Sequence, residues 1–295
     1  MTKNPIFTGV ATALITPLNE KGVDFEALGK LIDWQIEEGI NALVIAGTTG
    51  EGSTLTDEEH RAVLKYSVER TAGRVPVIAG TGSNDTAYAI ELTQYACEVG
   101  CDAMLVVTPY YNKATQNGLI AMYTAIADAS SKPLILYNVP SRTGCAIEPK
   151  TYAKLMDHPN IVAIKEANGD ISKIVATAAL VGDKLDIYSG NDDQIVPILS
   201  MGGSGVISVL SNCAPKKTVE ICERFFSGDV KGAAALQCEM LPLINALFSE
   251  TNPIPVKAAM AAMGYCDNYL RLPLTPMEKE HEEVLLNEMR KQGLI

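Results

Sequence analysis

Basic residues are in the minority in this chain of 295: 24 Lys and Arg stand against 35 Asp and Glu, a net charge of −11. An average field of that sign repels nucleic acid and anionic membrane surfaces. It does not exclude a small anionic ligand, which responds to a few local charges. Long apolar runs are missing too. No uninterrupted stretch reaches the ~18 residues of a membrane span. Residues 1–14 also lack the charged segment and apolar core of a secretory leader, so the expected location is cytoplasmic. The seven cysteines (Cys97, Cys101, Cys145, Cys213, Cys222, Cys238 and Cys266) contain no C-x-x-C pair. His60, His158 and His281 are scattered and fit no ligand spacing, so no metal centre is expected. Buried free thiols in a reducing cytosol are the better reading of the cysteines.

What is present suits a full globular core. Apolar residues make up 47% of the chain, with 23 Gly and 15 Pro as regular punctuation, so folding needs neither a disulfide nor a metal. Eight short apolar, β-branched runs recur: 10–16, 42–46, 75–79, 103–108, 134–138, 161–165, 185–189 and 205–210. Each is continuous, without alternation, as expected of parallel strands buried on both faces. Helical stripes lie between them. Phe25, Leu28, Leu31, Ile32 and Ile36 form one; Ala87, Ile90, Leu92, Tyr95 and Ala96 form another. Caps or first-turn acids stand at Thr56–Glu59, Ser83–Asp85 and Asp170–Ser172.

Such alternation fits a doubly wound sheet or a closed (β/α)8 TIM barrel. The position of the polar residues favours the barrel. Thr16, Gly47-Thr48-Thr49-Gly50, Gly80-Thr81-Gly82, Thr108-Pro109-Tyr110-Tyr111, Tyr137-Asn138, Lys165-Glu166, Ser189-Gly190-Asn191 and Ser208 all fall at strand C-terminal edges. A barrel gathers those edges around one mouth, where its chemistry sits. Residues 1–228 read as the catalytic barrel. Residues 229–295 read as a C-terminal helical region, with helices expected at 230–248, 254–264 and 276–292.

Lys165 ends a buried strand. Desolvation there lowers an amine from ~10.4 toward the ~7–8 of a nucleophile that can form an iminium. The alternative is a lysine paired with Glu166 or another carboxylate at the rim. Tyr137, one strand earlier, either shuttles protons near that amine or is a structural phenol. The turn Gly47-Thr48-Thr49-Gly50-Glu51 suits a carboxylate, with backbone N–H groups and hydroxyls as donors. Arg142 is either a clamp for a second carboxylate or a surface cation. Gly80-Thr81-Gly82 lacks the third glycine of a dinucleotide fingerprint, and Asp192-Asp193 reads as a helix start.

Taken together, Gly47-Thr48-Thr49-Gly50-Glu51, Tyr137-Asn138-Val139-Pro140 and Lys165-Glu166-Ala167, in that order and spacing, resemble the dihydrodipicolinate synthase and N-acetylneuraminate lyase superfamily along essentially the whole chain. The double threonine, Tyr110-Tyr111 and Ser141-Arg142-Thr143-Gly144 resemble its synthase branch. That resemblance implies a cofactor-free Schiff base between pyruvate and Lys165, followed by addition to aspartate semialdehyde. It implies catalytic roles for Tyr137, Thr48 and Tyr111, and substrate-binding roles for Thr49, Arg142, Gly190 and Ile207. Tyr111 would come from a neighbouring subunit of a homotetramer.

The resemblance also matches a lysine-binding interface site to Gly52, Ser53, Asp57, His60, Asn84, Tyr88 and Tyr110. His60, Asn84 and Tyr110 are kept. A histidine is replaced by Asp57 and the glutamate that meets the ligand ammonium by Tyr88, so feedback inhibition should be weak or absent. Rival readings are another pyruvate aldolase, cleaving N-acetylneuraminate or a 2-keto-3-deoxy sugar acid, and a non-catalytic keto-acid-binding barrel.

Overall fold

The computed structural model describes residues 5–295. Its strands are β1 (Gly9–Ala13), β2 (Leu18–Asn19), β3 (Gly22–Val23), β4 (Ala42–Ile45), β5 (Val77–Gly80), β6 (Ala103–Val107), β7 (Leu134–Asn138), β8 (Ile161–Glu166), β9 (Asp186–Ser189) and β10 (Gly205–Ser208). Eight of them close into a parallel barrel in the order β1-β10-β9-β8-β7-β6-β5-β4. The expected strands are all present, most of them shorter at one end. The small antiparallel hairpin β2-β3 has only two residues on each side, too few to leave an apolar pattern.

Strand alternation divides the apolar residues between two environments. Ala11, Ala13, Val44, Ile78, Leu105, Ile135, Ala163 and Ile207 point into the barrel. Val10, Leu43, Val77, Met104, Leu136, Ile164 and Val206 point out into the layer beneath the helices. Phe7 enters the inner cluster and stacks on Tyr188 with ring centroids 4.2 Å apart. Both faces are apolar, which is why the sequence runs show no alternation.

The helices start where their caps predict. Thr56 accepts from Glu59 N in a full capping box, and Asp85 and Asp170 cap Thr86–Glu98 and Ile171–Val181. The first stripe buries Leu28, Leu31 and Ile32. The second is rotated from expectation: Ala89, Leu92, Thr93 and Ala96 are buried, whereas Ala87 is exposed. Small and hydroxylated residues carry that face, so a purely apolar stripe misplaces it.

Beyond Pro215–Phe226, the helices Val230–Leu247, Ile254–Ala262 and Lys279–Lys291 bury Met240, Leu243, Val256, Met260, Leu285 and Met289 in the same apolar layer as the barrel helices. Cys101, Cys145, Cys213 and Cys222 are buried and all seven thiols are free; Cys238, against expectation, is exposed. Among the described residues no helix is long and apolar enough to cross a membrane.

The barrel closes through two glycines. Gly9 and Gly205 are register partners across β1 and β10, and a Cβ on Gly205 would lie 2.0 Å from Gly9 O. That atom is backbone and cannot swing away. Gly205→Ala should therefore lower stability by at least about 2 kcal/mol, read as a lower urea midpoint with an unchanged slope. An unchanged midpoint would show that the seam has slack.

Candidate active site

Lys165 faces the barrel interior because of a local irregularity. Between β7 and β8 the register runs Leu134↔Ile161 and then Ile135↔Ala163, with a shift between them. The extra residue resets the alternation. Ile161 packs outward, while Ala163 packs inward, and Lys165 follows two residues later on the same side. Glu166 therefore points the other way, toward the helices. There it accepts from Asn138 Nδ2 at 2.9 Å, Tyr152 Oη at 3.1 Å and Asn168 N at 3.0 Å. It does not pair with Lys165, which removes that structural reading of the lysine. Burial raises the Glu166 carboxyl to about 7, against those donors.

Tyr137 is the register partner of Lys165 on β7, and the amine lies over its ring, 4.2 Å from the centroid. Lys165 is 6% exposed. Burial pulls its pKa down to about 7, a shift that Asp192 opposes and Arg142 reinforces. At neutral pH a substantial fraction is then a neutral amine. Burial likewise raises the Tyr137 phenol, with Arg142 and the Thr48 hydroxyl acting the other way, so the group stays protonated and able to donate.

A cleft of ≈ 740 Å³ opens above these groups, lined among others by Thr48, Thr49, Tyr137, Arg142, Lys165 and Gly190. Gly190 is needed where it stands: a Cβ there would lie 2.7 Å from Ala167 Cβ and 3.2 Å from Lys165 Cε. The Thr48-Thr49 turn presents a donor set suited to a carboxylate. Its own hydrogen bonds run from Glu51 N to Thr48 O and from Gly52 N to Gly47 O, leaving the Thr48 and Thr49 N–H groups unused by the turn. Six of the eight residues expected to act on substrate thus line one opening. Ile207 and Tyr111 stand apart. Ile207 is fully buried in the inner layer and does not line the cleft. Tyr111 is 91% exposed on a loop where it adopts φ +71°.

Two further residues emerge only from the fold. Asp192 begins a 3-10 turn as the sequence suggests. Its side chain nevertheless turns inward and is buried, accepting from Val209 N at 3.0 Å and Leu210 N at 2.9 Å. It supplies the negative charge facing Lys165, and its place just past Ser189-Gly190 at a strand C-terminal edge was the available signal. Asn252, far along the chain, donates to Thr49 Oγ1 at 3.0 Å, and its carbonyl accepts from Arg142 Nη2 at 3.0 Å. No local pattern marks it. His281 also gains an unforeseen neighbour, with Nδ1 2.8 Å from Glu250 Oε1.

The Dihydrodipicolinate synthetase family model matches residues 6–292. The chain belongs to that family. It is 56% identical over 292 residues to the 4-hydroxy-tetrahydrodipicolinate synthase of Lachnoclostridium phytofermentans, covering 98% of this chain and 99% of the relative. A chloride-inhibited dihydrodipicolinate synthase from Acinetobacter baumannii, complexed with pyruvate, superposes with TM-score 0.95 at 46% identity, over 98% of this chain and 99% of that one. The Cyanidioschyzon merolae enzyme with lysine bound superposes with TM-score 0.96 at 38% identity, over 99% and 100%.

A second cavity of ≈ 430 Å³ shares Thr48, Tyr137, Val139 and Arg142 with the cleft and extends to Ser53, His60, Tyr88 and Tyr110. His60 Nε2 sits 3.0 Å from Gly80 O, and burial holds its pKa below the ordinary value. Asn84 Nδ2 donates to Tyr110 O at 3.2 Å. Tyr88 Oη donates to Asp57 Oδ1 at 3.0 Å, and Asp57 also takes Arg61 at 2.7 Å. The one new carboxylate near this cavity is thus already engaged. Lysine titrated into the assay should leave activity essentially unchanged at micromolar concentrations; half-inhibition in that range would show that another counter-charge serves.

Proposed function

We propose that the protein is a 4-hydroxy-tetrahydrodipicolinate synthase, a class I (Schiff-base) aldolase-type lyase of lysine and diaminopimelate biosynthesis that condenses pyruvate with aspartate semialdehyde. The observation that carries this reading is a desolvated lysine amine against a phenol, in one cleft with a donor-rich turn and an arginine.

The neutral Lys165 amine attacks the pyruvate ketone, and water leaves as the iminium forms. The free N–H groups of Thr48 and Thr49 receive the pyruvate carboxylate. The iminium withdraws electrons from the methyl carbon, which loses a proton to give the enamine. The enamine carbon then adds to the semialdehyde carbonyl. Tyr137, Thr48 and a Tyr111 supplied by a neighbouring subunit relay protons. Arg142, held toward the cleft by the Asn252 carbonyl, takes the semialdehyde carboxylate. The substrate amine displaces Lys165 as the ring closes, so one water is lost overall and the lysine is regenerated. No metal or cofactor is required, because the iminium itself is the electron sink.

An exposed Tyr111 that lines neither cavity of its own chain supports assembly in which each subunit completes another's site. We take that assembly to be a homotetramer, and the free thiols fit a cytoplasmic setting. Sugar-acid aldolases share the lysine and tyrosine; Arg142 and the second threonine favour the semialdehyde instead. A silent binding barrel has no use for an amine brought down to about 7.

Borohydride added with pyruvate should leave a reduced adduct on Lys165, located by peptide mass, and both substrates together should yield ring product absent from a pyruvate-only control. Lys165→Ala should lower turnover by at least about three orders of magnitude. No adduct at Lys165 would end the covalent reading.

A further inference from the structure

The turn that would receive the keto-acid carboxylate is tied from behind by a buried ion pair. Lys257, on the helix Ile254–Ala262, is completely buried, and its Nζ meets Glu51 Oε1, itself on a side chain only 1% exposed. The other Glu51 oxygen accepts from Arg271 N at 3.2 Å. Both charges are out of water, so each depends on the other: removing one leaves the partner buried and unpaired.

Glu51 stands two residues after Thr49 and adopts φ +54°, a conformation glycine takes more readily. Its neighbours Gly50 and Gly52 are glycine because the backbone crowds them. A Cβ on Gly52 would lie 2.2 Å from Ala46 O, and one on Gly50 would lie 3.0 Å from Leu14 O. Keeping a long acidic side chain in the strained place between them points to a use for the carboxylate. That use is not contact with substrate, because Glu51 lines neither cavity. Five residues before Lys257, Asn252 grips Thr49 Oγ1 and accepts from Arg142. One short C-terminal segment therefore holds the turn at two points and Arg142 at a third.

We propose that the Lys257–Glu51 pair positions the carboxylate-binding turn, so that the C-terminal helices set the affinity of the site for its keto acid. This rests on the reading of the turn as the pyruvate carboxylate cradle. Lys257 and Glu51 are positioning residues. They act through the backbone of Thr48 and Thr49, which must stay in place while the ligand exchanges.

The test uses the full chain with Lys257→Met, which keeps length and removes charge, and Glu51→Gln, which keeps shape and an acceptor. For a displaced cradle, the pyruvate KM should rise about tenfold or more while the semialdehyde KM stays within about twofold. Thermal unfolding of the same samples separates this from general loosening. An unchanged pyruvate KM in folded Glu51→Gln, or equal rises in both KM values that track a lower Tm, would overturn the proposal. So would the failure of both variants to fold, which would make the pair purely structural. Borohydride trapping of pyruvate in the unaltered protein reports on the underlying reading separately.

Discussion

Removing the Lys165 ammonium from water is the constraint on which the site depends. A charged amine in the mouth of an apolar barrel is costly, and the cheaper state is the neutral one. Burial favours loss of the proton. Asp192 restrains that, since its charge favours the ammonium, while Arg142 works in the other direction. The balance lies near neutrality, where an amine can attack a carbonyl and then accept protons as the intermediate collapses. Asp192 is itself buried and its pKa is raised for that reason, with Ser208 and the N–H groups of Leu210 and Val209 holding it down. The loop after β10 thus bears on the electrostatics of β8 without touching the amine.

The fold converts alternation into a division of labour. Successive residues on β8 face opposite sides, so Lys165 enters the cleft while Glu166 anchors the strand to Asn138 and Tyr152. Two adjacent ionisable groups are both moved to about 7 by burial, yet they do different work because the backbone separates them. The shift at Val162 decides which of the two faces inward. Around them, the turn after β4, the end of β7 and the loop after β9 each deliver one class of group: anion donors, a phenol, and space beside the lysine. The C-terminal region closes the arrangement from outside the barrel, through Asn252 in the turn before Ile254–Ala262 and Lys257 on that helix.

How far the sequence revealed this depends on whether the information was local. The eight strands were legible as continuous apolar runs, and Thr56, Asp85 and Asp170 marked helix starts because capping chemistry is written in adjacent residues. That Lys165, Tyr137, Thr48, Thr49, Arg142 and Gly190 share one cleft is legible because each stands at a strand C-terminal edge or in the loop just after it, inside a motif. Asn252 and Lys257 were not. Their partners lie 203 and 206 residues away, and nothing nearby distinguishes a buried lysine in Ile254-Pro255-Val256-Lys257 from an exposed one. Resemblance places Ile207 in the pocket, whereas here it fills the layer beneath. The face carried by Ala89 and Thr93 was misplaced because Ala and Thr bury as readily against a close neighbour as larger apolar residues do.

The most direct test of the central claim is the protonation of the Lys165 side chain itself. It can be followed by NMR of protein carrying isotope-labelled lysine, with the signal assigned by its loss in Lys165→Arg. A midpoint at about 7 is the predicted result. A titration close to the ordinary lysine value of 10.5 would mean a solvated ammonium at neutral pH, and would contradict the account.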